Sequence, residues 1–178
     1  MIKIKFSYVV LLLALFLIML TSMRQVAKQV TIISEGTGIL DLNFYNSKEF
    51  MMQTLQELSQ KGRDFYLTKF FIVDFFYPIT YAAFYGITIL YVLEKLGNHS
   101  KSIKLLALIP VCGMCFDWLE NVSISSLLTT FPNDSTLLYL MATISTILKF
   151  SFVYLAVVTI IILVGIVIIK RNKFLNTN

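Results

Sequence analysis

The sequence predicts an all-α membrane protein: a bundle of four transmembrane helices, both termini cytoplasmic, with a long first outer loop carrying a short amphipathic helix. Three observations predict it. Four stretches, at about 6–22, 70–93, 103–128 and 137–169, are apolar enough to cross hydrocarbon about 30 Å thick, which takes roughly 20 residues of helix. The composition, 57% hydrophobic with a mean hydropathy of +0.79, is far from that of a soluble globule. The net charge of +5 is spread in a pattern that fits membrane topology. Lys3 and Lys5 precede the first span, Lys95, Lys101 and Lys104 flank the second connection, and Lys170, Arg171 and Lys173 follow the last span. Basic flanks of this kind face the cytoplasm. The first connection also holds Arg24, Lys28, Lys48, Lys61, Arg63 and Lys69, but it is a long segment, over which the rule is weaker. The bases therefore report orientation and not a nucleic-acid partner. At 178 residues the chain is a single integral membrane domain, and a bacterial plasma membrane is the expected location.

Taken in order, the first span follows Met-Ile-Lys-Ile-Lys. The run Leu20-Thr21-Ser22-Met23-Arg24 is a poor small-x-small cleavage site, so the span is expected to be an uncleaved anchor. The outer segment, 23–69, is the one sizeable polar region. Ser34-Glu35-Gly36-Thr37-Gly38 reads as a turn. Asn46 followed by Glu49 has the spacing of a helix N-cap and its capping glutamate, and Phe50, Met51, Thr54, Leu55 and Leu58 would form the apolar face of the helix. Gly62 is the expected stop. Such a helix would lie on the membrane surface or close over the bundle. Arg63, Asp64, Tyr66 and Lys69 then suit the interfacial zone.

The second span carries Asp74, Tyr77, Pro78, Tyr81, Tyr85 and Thr88 at helical spacing, a polar stripe on an otherwise apolar helix. Pro78 removes the amide that would bond the Asp74 carbonyl, which predicts a kink beside the acid. In the third span Gly113, Asp117, Glu120, Asn121 and Ser125 are expected on one face, with Pro110 bending the start. In the fourth, Ala142, Ser145, Thr146 and Lys149 share a face. The third-to-fourth connection carries Asp134 and no base, as an outer loop would.

Acids at membrane depth are expensive and mark function by default. At 1.5 Å per residue, Asp74 lies roughly 9 Å inside the outer boundary, Glu120 roughly 14 Å, and Asp117 and Lys149 roughly 18 Å. Facing helices can bring these layers together, with Lys149 as counter-ion to Asp117 or Asp74. Three acids against one base leave surplus negative charge for a proton, water, a cation or a cationic ligand to share. Asp74, Tyr77, Tyr81, Tyr85, Asp117, Glu120, Asn121 and Lys149 are therefore the candidate site, either as a pocket lining or as glue between helices.

Other signals carry less. Cys112-Gly-Met-Cys115 is a Cys-x-x-Cys inside a span, as in four-span redox enzymes. Those enzymes add a second cysteine pair that this chain lacks, so the cysteines are expected to be small apolar fillers. Asp117 and Glu120 could share a divalent cation, but His99 is the sole histidine and lies in a connection, so no metal and no cofactor is expected. Asn133-Asp-Ser135 matches a glycosylation acceptor, which matters only in a secretory pathway.

Two resemblances rest on these residues. The chain resembles a group of uncharacterised bacterial four-span membrane proteins. It matches them at Leu40-Asp41, Gly62-Arg63 with Tyr66-Leu67, Asp74 with Tyr77-Pro78 and Tyr81, Phe116-Asp117 with Glu120-Asn121, and Leu148-Lys149. It is more faintly similar to the EXPERA proteins, the sterol isomerase and sigma-2 receptor group, in its four spans, its long first loop and the run Asp74-Phe-Phe-Tyr-Pro-Ile-Thr-Tyr81. That likeness implies intramembrane acids facing a sterol or cationic amphiphile. The histidine of the isomerases has no counterpart in these spans.

The reading that follows is a multi-pass protein binding a membrane lipid or small amphiphile in an outward-facing acidic pocket, with the acids as anchors and the tyrosines as walls. The alternatives are an enzyme on a lipid or isoprenoid substrate with one carboxyl as general acid, a proton- or cation-coupled transporter, and an accessory or immunity protein. The transporter would require a homo-oligomer, because four helices enclose little volume.

Overall fold

The first helix, α1, spans Phe6–Ile33 and is far longer than its apolar half. The computed structural model describes residues 3–36, 38–40, 43–97, 100–133 and 135–176, with side chains described up to 172. After α1 come a short α2, Lys48–Glu57, and three long helices: α3 (Gln60–Lys95), α4 (Lys101–Thr130) and α5 (Thr136–Asn176). No strand occurs among the described residues. Four helices, α1, α3, α4 and α5, are long and apolar enough to cross a membrane. Their outer faces agree with that setting. Leu11, Leu17 and Ile18 on α1 and Ile161, Ile162 and Ile168 on α5 are exposed, which a watery surroundings would penalise and lipid would not.

The long helices alternate in direction. The Ile4 amide donates to the Glu94 carboxylate (3.0 Å) and Phe6 packs on Tyr91, so α1 begins where α3 ends. Tyr81 meets Asp117 across α3 and α4, and Gly113 packs against Val153 across α4 and α5. Small residues permit the close approaches. A Cβ at Gly86 would lie 3.1 Å from the Ala107 carbonyl, and one at Gly113 would lie 3.4 Å from both Phe152 and Val153. α3 ends at Gly97, whose φ of 69° lets its amide turn back to the Glu94 carbonyl (3.0 Å). The alternation gathers Lys5, Lys95, Lys101, Lys104, Lys170 and Arg171 at one end of the bundle.

The opposite end holds the main core. Val30 of α1, Leu40, Met51 and Leu55 of α2, Phe70 of α3 and Leu127 of α4 are all fully buried in one cluster. α2 closes over this end of the bundle. Lys48 reaches α5, donating to the Thr136 hydroxyl (2.9 Å) and lying over the Tyr139 ring (5.4 Å).

Several expectations are corrected here. The helix of the first span does not stop at Ser22. It continues to Ile33 because Met23, Ala27 and Val30, one turn apart, bury against the core. The second span likewise begins at Gln60, through a π-helical turn at Tyr66–Phe70. The N-cap of α2 is Ser47, which accepts from the Phe50 amide (3.2 Å), and not Asn46. Glu49 is held below its usual carboxylate range by its own backbone amide and the Ser47 hydroxyl. Asn46 is buried because it is used elsewhere: it donates to the Leu40 carbonyl (2.7 Å), accepts from Asn43 (3.1 Å), and its carbonyl accepts from Thr143 of α5 (2.9 Å). Phe50 is exposed and not part of the buried face. Gly62 is no stop. It lies inside α3, where a Cβ would run into the Ser34 hydroxyl. Arg63 turns back from α3 to donate to the Leu55 (3.2 Å) and Leu58 (2.6 Å) carbonyls that end α2, and Tyr66 accepts from the Leu40 amide (3.1 Å). Thr37, Asp41, His99 and Asp134 lie outside the described residues.

Gly62→Ala should therefore lower the thermal midpoint in detergent, since forcing a methyl into a filled site costs about 1–3 kcal/mol. Adding Ser34→Gly should recover most of that loss. A Gly62→Ala protein as stable as wild type would show that the α1–α3 contact has slack.

Candidate functional site

The polar groups of three helices meet in the interior of the bundle. On α3, Asp74, Tyr77, Tyr81 and Tyr85 fall on one stripe, and Pro78, buried within the helix, leaves the Asp74 carbonyl without an i+4 amide. On α4, Asp117 and Glu120 share the buried face with Gly113, Ile124 and Leu127. On α5, Ala142, Ser145, Thr146 and Lys149 are buried, as their spacing requires. The ionisable groups are close to sealed: Glu120 is 0% exposed, Asp74 and Asp117 2%, and Lys149 7%.

Lys149 is the hub. Its ammonium contacts Glu120 Oε2 directly and lies 3.5 Å from Asp117 Oδ1. Thr146, one turn before it, hydrogen-bonds Glu120 Oε1. The Tyr81 hydroxyl donates to Asp117 Oδ2 (3.2 Å). An ion pair at this depth holds only when hydrogen bonds occupy the remaining lone pairs, and Thr146 and Tyr81 provide them. The sequence offered Asp117 or Asp74 as counter-ion; the residue in direct contact is Glu120.

Beside this network is a cavity of about 120 Å³, lined by Asp74, Tyr77, Tyr81, Tyr85, Asp117 and Lys149. A water needs roughly 10–15 Å³ on the same measure, so there is room for several waters or a group of a few heavy atoms. Met23 of α1 and Phe150 and Val153 of α5 complete the walls. The tyrosines are held by ring packing: Tyr77 on Tyr81 (centroids 5.5 Å apart), Tyr81 on Tyr85 (6.3 Å), with Phe16 of α1 against both Tyr77 (5.9 Å) and Tyr85 (5.8 Å).

Two candidates stand apart from this cavity. Glu120 lies behind Lys149 and does not line it, so its place is that of a counter-ion. Asn121 does not join the cluster. It is half-buried and faces a recess between α3 and α4 with Phe75, Trp118, Val122 and Ser125. In the same place the Trp118 indole N–H donates to the Phe75 carbonyl (3.0 Å), and the two rings stack 5.4 Å apart. Cys112 and Cys115 are exposed on the outer face of α4, away from the tyrosines and acids, and are not core fillers. Among the described residues no group of histidine, cysteine and acid side chains could hold a metal ion. The residues that the sequence did not mark are Met23, Phe150 and Val153 of the walls and Phe16 behind the tyrosines. They are apolar, and nothing in their pattern separates a cavity wall from a lipid-facing side chain.

Lys149→Met should destabilise the protein strongly, because removing one partner of a buried pair strands the other at a cost of about 3–5 kcal/mol. Adding Glu120→Gln should recover more of the thermal midpoint than adding Asp117→Asn. Equal recovery by the two acids, or none, would remove Glu120 from its place as principal counter-ion.

No protein-family model matches the chain, and no curated protein and no solved structure matches it.

Proposed function

We propose that the protein binds a lipid or small amphiphile inside its membrane-spanning bundle, with the polar end of the ligand in the cavity between α3, α4 and α5. The observation that carries this reading is the cavity itself. Its floor holds two carboxylates and an ammonium, its walls are tyrosine rings, and it sits where hydrocarbon would otherwise be expected. Glue between helices would need no space. Asp74 and Asp117 are the anchors, Tyr77, Tyr81 and Tyr85 the walls, and the Glu120–Lys149 pair the fixed charge that orients Asp117. The likeness to the EXPERA group supports the same use of an acid-and-tyrosine stripe, without isomerase chemistry.

The orientation belongs to the proposal. Eight of the fifteen bases lie at the start of α1, the end of α3, the start of α4 and the end of α5, against six between Arg24 and Lys69. That excess favours the cytoplasm for the first of these ends by the positive-inside rule. The end closed by α2 then faces outward in a plasma membrane. With both native cysteines replaced by serine, cysteines at the exposed positions Gln53 and Asn133 should be labelled by an impermeant maleimide on intact cells, and one at Lys101 should not. Labelling at Lys101 would reverse the topology.

The binding test is lipid analysis of gently purified protein beside complementation of a deletion strain. Asp74→Asn and Tyr81→Phe keep side-chain shape. Asp74→Asn should leave the thermal midpoint near wild type, whereas Tyr81→Phe should lower it, the lost bond to Asp117 costing about 1–3 kcal/mol. Both should abolish the co-purifying amphiphile and the cellular activity. If activity falls only as far as folded protein falls, the cluster is a structural fastening and the binding reading fails.

A further inference from the structure

A second, larger cavity of about 700 Å³ lies beside α1, toward the end that α2 closes. Met23 and Tyr77 line both it and the inner cavity, so the two chambers adjoin across these side chains. The larger one differs in charge. Arg24 and Lys28, one turn apart on the same face of α1, both line it, and both are exposed. Neither has an acidic partner among the described residues. The remaining lining is mixed: Leu20, Ala27, Ile39 and Phe50 are apolar, while Thr31 and Asn43 are polar. A cationic pair, a few hydrogen-bonding groups and an apolar floor in one chamber make an amphiphile's headgroup site.

The depth agrees. Arg24 follows Phe6 by five turns of helix, roughly 27 Å. That places its guanidinium at the far edge of a hydrocarbon layer about 30 Å thick, the level of lipid phosphates. Lys28 is one turn further out, and the inner cavity, reached past Met23 and Tyr77, lies deeper.

We propose that this outer chamber is a headgroup site for an anionic phospholipid, whose phosphate is held by Arg24 and Lys28. This is a second lipid site beside the inner cavity, for a ligand other than the one anchored on Asp74 and Asp117. It rests on the amphiphile-binding reading above in taking the bundle to be set in lipid. The guanidinium donates two parallel N–H groups to phosphate oxygens, Lys28 adds a point charge, and the apolar floor takes the glycerol and the first methylenes of the chains. A free phosphate or a soluble phosphate ester would use the bases and leave the apolar floor empty, so the lipid is the occupant. Lys69, an exposed base of the same segment, does not line this chamber.

The test is native mass spectrometry of the full chain in a neutral detergent, titrated with a phosphatidylglycerol, with a phosphatidylcholine of the same chains, and with glycerol 3-phosphate. Wild type should retain one phosphatidylglycerol and prefer it over phosphatidylcholine. The Arg24→Gln/Lys28→Gln protein should lose that preference by about tenfold or more, each base near a lipid surface contributing roughly fivefold. Lys69→Gln should keep the preference, and glycerol 3-phosphate should not compete. Both altered positions are exposed, so the thermal midpoint should hold. The proposal is overturned if the double variant keeps the preference, if Lys69→Gln loses as much, or if glycerol 3-phosphate displaces the lipid. The two readings fail separately. Loss of the co-purifying amphiphile from Asp74→Asn, with the phosphatidylglycerol preference kept by Arg24→Gln/Lys28→Gln, would sink the headgroup site and leave the inner pocket intact. A ligand kept by Asp74→Asn and Tyr81→Phe would sink the inner-pocket reading, and the phosphatidylglycerol preference would then decide the outer chamber alone.

Discussion

A lysine ammonium in the middle of a helix bundle cannot be left to itself, and much of the arrangement follows from what surrounds Lys149. Hydrocarbon offers it no water. Its partners must come from α4, and they must arrive at the same level on the facing side. Glu120 in contact and Asp117 at 3.5 Å meet that condition, and they do so only with α4 and α5 antiparallel at one register. Sliding α5 by one turn, about 5.4 Å, would separate the ammonium from both carboxylates. Gly113 supplies the closeness, since it lets α4 lie against the backbone of α5 at Lys149 itself, where a Cβ would be 3.5 Å from the Lys149 carbonyl.

The two acids of α4 are nevertheless unequal. Glu120 is enclosed by protein and bonded to Thr146, whereas Asp117 faces a cavity and is bonded to Tyr81, a residue that also lines that cavity. One carboxylate therefore neutralises the lysine while the other is both partner and surface. The same division appears along α1. Its first half is largely exposed and apolar, touching α3 through Phe6 and Phe16. Met23, Ala27 and Val30 continue it into the protein core and bring Arg24 and Lys28 to the edge of the outer chamber.

What could be read from the sequence and what could not divide along physical lines. Length and hydropathy measure transfer into lipid, so the four crossing helices were legible. So was the stripe of Asp74, Tyr77 and Tyr81, because its period is that of the helix. The continuation of α1 past Ser22 was not, since Met23 to Ile33 is stabilised by burial against α2 and α3, and hydropathy sees only lipid. Asn46 and Ser47 are both good caps, and the choice was made by a distant demand, the Leu40 carbonyl and Thr143 that Asn46 serves. Gly62 carries the same letter whether it ends a helix or admits a neighbour. Asn121 was assigned to the acidic face because it sits one turn from Asp117. It lies about 100° around the helix from Glu120, however, far enough to belong to the other side.

That other side has its own consequence. Asp117 and Trp118 are adjacent in the chain and therefore point about 100° apart, and each is bonded to α3: the carboxylate to Tyr81, the indole to the Phe75 carbonyl. α4 is thus gripped at one level by two jaws set on different flanks. Rolling it in either direction lengthens one bond or the other, so the helix behaves as a shaft with a key. The direction in which Asp117 points is fixed before any ligand arrives, and the entropy of aiming it is spent in folding and not in binding.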